Sequence, residues 1–163
     1  MLNSLIYFCA VILPWILGIG LAGYFFVTKK KIAAVRLIGL SFLGAIIAWF
    51  LASLYKYNFP SPRPFEIYDN LKPLFITGRG DAFPSGHATF FGALAMGVFL
   101  QNHPSTSLRA RIFDLVFIIG ATLIAIARVL ANVHSLLDVI AGLIWGALVS
   151  IIVWLIYNKI YPK

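Results

Sequence analysis

Asp81-Ala82-Phe83-Pro84-Ser85-Gly86-His87-Ala88-Thr89 is a short polar knot in a very apolar chain, and a long hydrophobic run follows it directly. Proline tends to end what precedes it, and serine is a favoured helix N-cap, so Pro84 and Ser85 read as a helix start. Gly86 and His87 then fall in the first turn. Backbone N–H groups there lack an intrahelical partner, and the helix dipole favours an anion. A titratable histidine beside such donors can hold a phosphate and move a proton. Taken alone, the same residues also describe an ordinary cap carrying a surface histidine, so the rest of the chain has to decide.

Composition decides the setting. Of 163 residues, 61% are hydrophobic and 11% charged, with a mean hydropathy of +0.95. Soluble domains are about 25% charged. The chain therefore reads as one integral membrane domain, residues 1–163. Thirteen Lys and Arg against five Asp and Glu give a net charge of +8. The cations stand between apolar runs, which fits loops at a membrane face and not a nucleic-acid partner. Cys9 is the only cysteine, so no internal disulfide can form and a cysteine metal site is excluded.

Outward from the knot, five apolar runs are expected to cross the bilayer: residues 5–27, 37–55, 85–100, 112–133 and 136–157. The first lacks a basic start and carries its positive charges after it, which suits a retained span and not a signal peptide. The third is short, so its polar first turn must sit in the interface or in a watery cavity. Residues 56–83 hold Pro60, Pro62, Pro64 and Pro73 among charged side chains and are too polar to span, which predicts a structured loop or short interfacial helix. A second polar loop, residues 101–111, holds Pro104, Arg109 and Arg111.

Five spans put the termini on opposite sides. Lys29, Lys30, Lys31, Arg36, Arg109, Arg111, Lys159 and Lys163 then share one side, which the positive-inside rule makes the cytoplasm. The N-terminus is expected outside and the C-terminus inside. The 56–83 loop, the start of the third span, Arg128 and His134 all fall on the extracytoplasmic side.

Ionisable residues within spans are costly and are functional candidates, and Arg128 and Asp138 meet that test. His134 and Asp138 are four apart, the spacing that brings side chains together on a helix. A carboxylate on one ring nitrogen fixes the tautomer and makes the other a better nucleophile or base. Ser135 with Asp138 also matches a Ser-x-x-Asp helix cap, the plainer reading. Lys56, Arg63 and Arg128 at one face suit a trianionic group, because arginine offers a two-pronged donor and lysine a compact charge. The plainer reading of Lys56 and Arg63 is interfacial snorkelling. Lys72 and Arg79 are left as headgroup contacts, Asp114 as a partner of Arg109 or Arg111, and Trp15, Trp49, Trp145 and Trp154 as lipid-facing packing.

Three short motifs now stand in order: Lys56, six residues, Arg63-Pro64; Pro84-Ser85-Gly86-His87; and Arg128, five residues, His134, three residues, Asp138. In these the chain resembles the type-2 phosphatidic acid phosphatases, which are related to bacterial acid phosphatases and vanadium haloperoxidases. The motifs span residues 56–138, about half the chain. Two departures stand out. The residue before the third motif's arginine is usually serine and here is Ala127, which removes one hydrogen bond to phosphate. Membrane members typically have six spans, and the one absent here is the first.

The resemblance implies that His134 is the nucleophile that becomes phosphorylated and that Asp138 orients it. Lys56, Arg63, Arg128, the Ser85 hydroxyl and the Gly86 amide would hold the phosphoryl oxygens. His87 would protonate the leaving oxygen and then activate water. No metal or other cofactor is implied. The expected protein is an all-α polytopic membrane helical bundle of about five transmembrane helices in the cell membrane. It would act on a lipid phosphate or diphosphate, with undecaprenyl diphosphate first and phosphatidate, phosphatidylglycerol phosphate or lipid A phosphate next. Transfer of the phosphoryl group to an acceptor alcohol, and a non-catalytic membrane role, are the alternatives.

Overall fold

The computed structural model describes residues 1–75, 78, 80–102 and 107–162, so Arg79, Pro104 and Lys163 named above lie outside the described residues. The chain is helical nearly throughout: α1 (Leu2–Tyr7), a π-helical turn (Phe8–Ile12), α2 (Leu13–Val27), α3 (Lys31–Asn58), α4 (Pro64–Ile67), α5 (Gly86–Asn102), α6 (Leu108–Leu130) and α7 (Leu136–Ile160). The π turn precedes Pro14. A proline ring clashes with the carbonyl four residues back, and a wider turn gives it room, so α1 and α2 continue as one rod.

Among the described residues, four helices are long and apolar enough to cross a membrane: Leu2–Val27, Lys31–Asn58, Leu108–Leu130 and Leu136–Ile160. Sequence predicted five crossings. The remaining helix, α5, has 17 residues, which is about 25 Å at 1.5 Å per residue. It falls short of the roughly 30 Å hydrocarbon core because its polar start belongs to the site and its body is enclosed by α3, α6 and α7.

Small residues let these helices close on α5. A methyl group at Gly142 would lie 2.8 Å from the Ser85 carbonyl oxygen, and one at Gly97 2.7 Å from Ser41 Cα. Ser150 Oγ donates to the Ala93 carbonyl at 2.7 Å. Close packing of this kind, with interhelical hydrogen bonds, replaces the hydrophobic driving force that helices lack between themselves in lipid. The core inside is Leu94, Val98, Phe117 and Ile124. Large apolar side chains such as Ile19, Leu123, Leu148 and Ile152 are turned outward and exposed.

Helix ends depart from the hydropathy boundaries for local reasons. α3 starts at Lys31, six residues before the apolar run, and the Lys31 ammonium caps α2 by donating to the Phe25 carbonyl at 2.6 Å. α6 stops at Leu130, before the predicted end at Val133. Asn132 adopts the left-handed conformation (φ 59°), its N–H donates to the Val129 carbonyl at 2.9 Å, and the Val133 N–H reaches Arg128 at 3.3 Å. Paired bonds of this kind end a helix at a left-handed residue.

Among its described residues, the 56–83 segment holds the end of α3 and the single turn α4. Ser61 and Asp81 form an isolated bridge, and the Phe83 N–H donates to Ser61 Oγ at 2.8 Å. Glu66 Oε2 takes the N–H groups of Arg63 and Gly80 at 2.9 and 3.0 Å. The loop is thus tied to itself and delivered to the head of α5. At the other end of the bundle, Asp114 accepts from Asn102 Nδ2 at 2.8 Å, a contact the arginine pairing expected from sequence did not anticipate.

Candidate active site

The turn between α6 and α7 positions the histidine. α6 closes at Asn132, and α7 opens with a reciprocal cap: Ser135 N–H donates to Asp138 Oδ2 at 2.7 Å, and Asp138 N–H donates to Ser135 Oγ at 3.2 Å. His134 is the one residue between these two devices. The five-residue spacing to Arg128 and the three-residue spacing to Asp138 are therefore the lengths of a helix C-cap and a helix N-cap.

His134 is buried, and Asp138 Oδ2 lies 3.6 Å from its Nδ1. The contact is just beyond hydrogen-bond length, so the cap and the histidine pairing coexist on one carboxylate oxygen. On the other side of the ring, Nε2 is 3.4 Å from Arg63 Nη1. Arginine can only donate, so Nε2 is the acceptor and the ring proton is assigned to Nδ1, facing Asp138. The nitrogen lone pair thus points toward the cations. Burial pushes the imidazole below its ordinary value of 6.5; Asp138 opposes this, while Arg63 and Arg128 add to it.

Arg63 is only 4% exposed and heavily bonded. Nε and Nη2 donate to Asp81 Oδ1 at 2.9 and 2.7 Å, and Nη1 donates to the Val133 carbonyl at 2.8 Å. Arg128 is also buried; its Nε has no hydrogen-bond partner within the protein, and its guanidinium lies 4.9 Å over the Phe75 ring. The Lys56 ammonium lies against the start of α5: a methyl group at Gly86 would stand 3.4 Å from Nζ and 3.5 Å from Trp49 Nε1.

Ser85 precedes the first residue of α5, as expected, but its hydroxyl does not cap the helix. Ser85 Oγ is fully buried without a partner, while its N–H donates to the Asp138 carbonyl at 2.9 Å. Ser85 Oγ and Arg128 Nε are therefore buried donors without a partner in the protein, and the second and third motifs are joined through their backbones. His87 is exposed, in a cavity it shares with Arg128, and lies within electrostatic reach of Arg128, His134, Lys56 and Arg63.

All eight sequence-predicted residues meet at one end of the bundle. Sequence missed Asp81, the Val133 carbonyl and Phe75, which position Arg63 and Arg128. Asp81 stands at the head of the polar knot, yet nothing in the spacing marks it as the partner of a residue 18 positions earlier. Trp49, read as lipid-facing, stays half exposed but also borders Lys56 and Gly86. Ala127 belongs to an apolar cluster with Ile6, Ala10, Ala131 and Val133. Among the described residues no cluster of three His, Cys, Asp or Glu side chains could hold a metal ion.

A family model described as the PAP2 superfamily matches residues 35–162. The chain belongs to the PAP2 superfamily. Its three motifs lie inside the matched region. Among curated proteins, it is 27% identical to the bacitracin transport permease protein BcrC of Bacillus licheniformis, over 94% of this chain and 71% of that one. It is 28% identical to the lipid A 1-phosphatase of Rhizobium etli, over 86% of this chain and 61% of that one. The crystal structure of Aquifex aeolicus LpxE superposes with a TM-score of 0.73 at 23% identity, covering 94% of this chain and 85% of that one, a likeness of fold.

Proposed function

We propose that this chain is a membrane lipid phosphatase that hydrolyses a phosphomonoester or diphosphate through a phosphohistidine. The carrying observation is the orientation of His134: Nδ1 faces Asp138, and Nε2 faces the cations. Nε2 attacks phosphorus while the bond to the leaving oxygen breaks and His87 delivers a proton to that oxygen. His87 then takes a proton from water, the resulting hydroxide attacks the phosphohistidine, and phosphate leaves as the P–N bond breaks.

Lys56, Arg63 and Arg128, with Ser85 Oγ and the Gly86 amide, balance charge on the equatorial oxygens. They supply the positive charge that a metal supplies in other phosphatases, so the reaction needs no divalent ion. The favoured substrate is undecaprenyl diphosphate, ahead of phosphatidate, phosphatidylglycerol phosphate and lipid A phosphate. The reading extends to topology: α5 crosses as a fifth, short span, the N-terminus is extracytoplasmic, and the site faces outward from the cell membrane. The positions of Lys29, Lys30, Arg109, Arg111 and Lys159 at the opposite helix ends support it.

Phosphate release from lipid phosphates in detergent, with and without EDTA, tests the mechanism. Activity is expected to survive EDTA and to vanish in His134→Ala. A requirement for a divalent ion, or turnover without His134, would sink it. Phosphotransfer predicts phosphorylated acceptor in place of free phosphate. A transport role, which the name of the Bacillus relative carries, predicts that His134→Ala and His87→Ala behave as wild type.

A further inference from the structure

We infer that the cleft between α3 and α7, at the helix ends opposite the catalytic site, holds the headgroup of an anionic phospholipid, with Arg36 as its phosphate contact. The inference stands apart from the phosphatase reading and holds for either leaflet.

Arg36 is the observation that carries it. It lies five residues into α3 from Lys31, about 7.5 Å along the helix axis. Its Nε is buried and has no hydrogen-bond partner among the described residues. An arginine that only reaches along a helix toward water keeps its charged head solvated. Here one donor is cut off from water and from protein alike, and burying part of a cation in this way is costly without an anion beside it. No acidic side chain lines the cleft. Asp114, at the same end of the bundle, belongs to α6 and accepts from Asn102 Nδ2.

The cleft has a volume of about 490 Å³, with Lys31, Arg36, Leu40 and Leu43 of α3 on one wall and Tyr157 of α7 on the other. The Lys31 ammonium is fixed at its head, because it donates to the Phe25 carbonyl and sits 4.7 Å over the Phe25 ring. Past Arg36 the α3 wall is Gly39, Leu40 and Leu43, which offer no polar side-chain atom. From Lys31 to Leu43 is twelve residues, about 18 Å. Ile32, Val35 and Leu43 are exposed on a helix long and apolar enough to cross a membrane.

This order of charge and then hydrocarbon decides the occupant. A free phosphate would satisfy Arg36 and leave the apolar length of the cleft unfilled. A zwitterionic lipid would bring its own ammonium toward two cations. An anionic phospholipid sets its phosphate against Arg36, in a charge-assisted hydrogen bond, and lays an acyl chain along Leu40 and Leu43. Basic pockets between membrane helices recognise such headgroups for this reason.

The test titrates the full-length chain in a neutral detergent with phosphatidylglycerol or with phosphatidylcholine of the same acyl chains. Bound lipid is counted by native mass spectrometry, which needs no turnover. The native chain is expected to bind phosphatidylglycerol more tightly than phosphatidylcholine. Arg36→Leu is expected to weaken phosphatidylglycerol about tenfold, the usual scale for losing a hydrogen bond to a charged group. Arg109→Leu removes an exposed cation of α6 at the same end, outside the cleft, and is expected to stay within about twofold of native.

Equal binding of the two lipids by the native chain, or unchanged binding in Arg36→Leu, overturns the inference. So does an equal loss in Arg109→Leu, which would mean a diffuse basic surface. Inorganic phosphate that displaces the lipid from the native chain at equal concentration also overturns it, since the hydrocarbon would then add nothing. If Arg36→Leu is not recovered folded, Gly39→Leu keeps the charge and fills the cleft, because a methyl group at Gly39 meets nothing within 4 Å. It is expected to weaken phosphatidylglycerol in the same direction, and unchanged binding there overturns the inference too.

Discussion

The surroundings of His134 favour its neutral form. Burial outweighs Asp138 and lowers the imidazole below 6.5. In the proposed mechanism the nucleophile is the neutral ring, so kcat/KM is expected to stay level as pH falls to about 6.5 and to decline only below it, with an acid midpoint under that value. A midpoint above 6.5 would contradict the burial argument. The same shift acts on stability. The unfolded chain takes up the proton first, so the contribution is intact above about 6.5 and is lost as pH falls through the lower folded value. At Arg63, both Nε and Nη2 rest on Asp81 Oδ1, whose side chain is 44% exposed. Asp81→Ala is expected to lower kcat/KM by about tenfold through a misplaced guanidinium, with Asp81→Asn losing less because it keeps an acceptor. Steady-state kinetics checks this, and an alanine variant at the native rate would show that Arg63 is held without it.

Among the helices, the geometry of the proposed site depends on how closely α5 and α7 approach. Gly142 stands where a side chain would collide with the Ser85 carbonyl, and the Ser85 N–H is bonded to the Asp138 carbonyl. Gly142→Leu is expected to part the two helices, lowering the thermal midpoint and cutting turnover at least tenfold, since a backbone collision cannot be relieved by rotating a side chain. Thermal unfolding in detergent with a parallel activity assay reads both, and unchanged values would mean that α7 can slide without moving His134. The α6–α7 turn shows how an element boundary becomes chemistry. One cap ends at Val133, the next begins at Ser135, and the residue between them has little freedom. The spacing of the third motif was legible in the sequence; its cause, two abutting caps, was visible only when the hydrogen bonds could be traced.

For the whole molecule, the organisation is a division between ends. Lys56 closes α3, Ser85 opens onto α5, Arg128 closes α6 and Asp138 opens α7, so alternation of direction gathers them at one end. Cations without site roles, such as Lys30 and Arg109, lie at the other. Cysteines at Asp69 and Lys30, both exposed, test the sidedness in a Cys9→Ser background. An impermeant thiol reagent added to intact cells is expected to label Asp69→Cys and spare Lys30→Cys, and the opposite pattern would invert the topology.

Hydropathy and the positive residues were enough to determine helical class and the apolar runs, because burial in lipid is a property of short stretches; the three spaced motifs, with the resemblance they carry, named the eight candidate site residues. Three matters were decided only by the tertiary structure. One is the enclosure of α5, already short in sequence, by α3, α6 and α7. Another is the set of supports, Asp81 beneath Arg63 and Phe75 beneath Arg128, which come from distant parts of the chain. The last is the polar knot around Ser85. Its hydroxyl matched a cap in sequence, yet it is buried and unbonded, while the Thr89 N–H goes to the Ser85 carbonyl and the Ser85 N–H to the Asp138 carbonyl of α7.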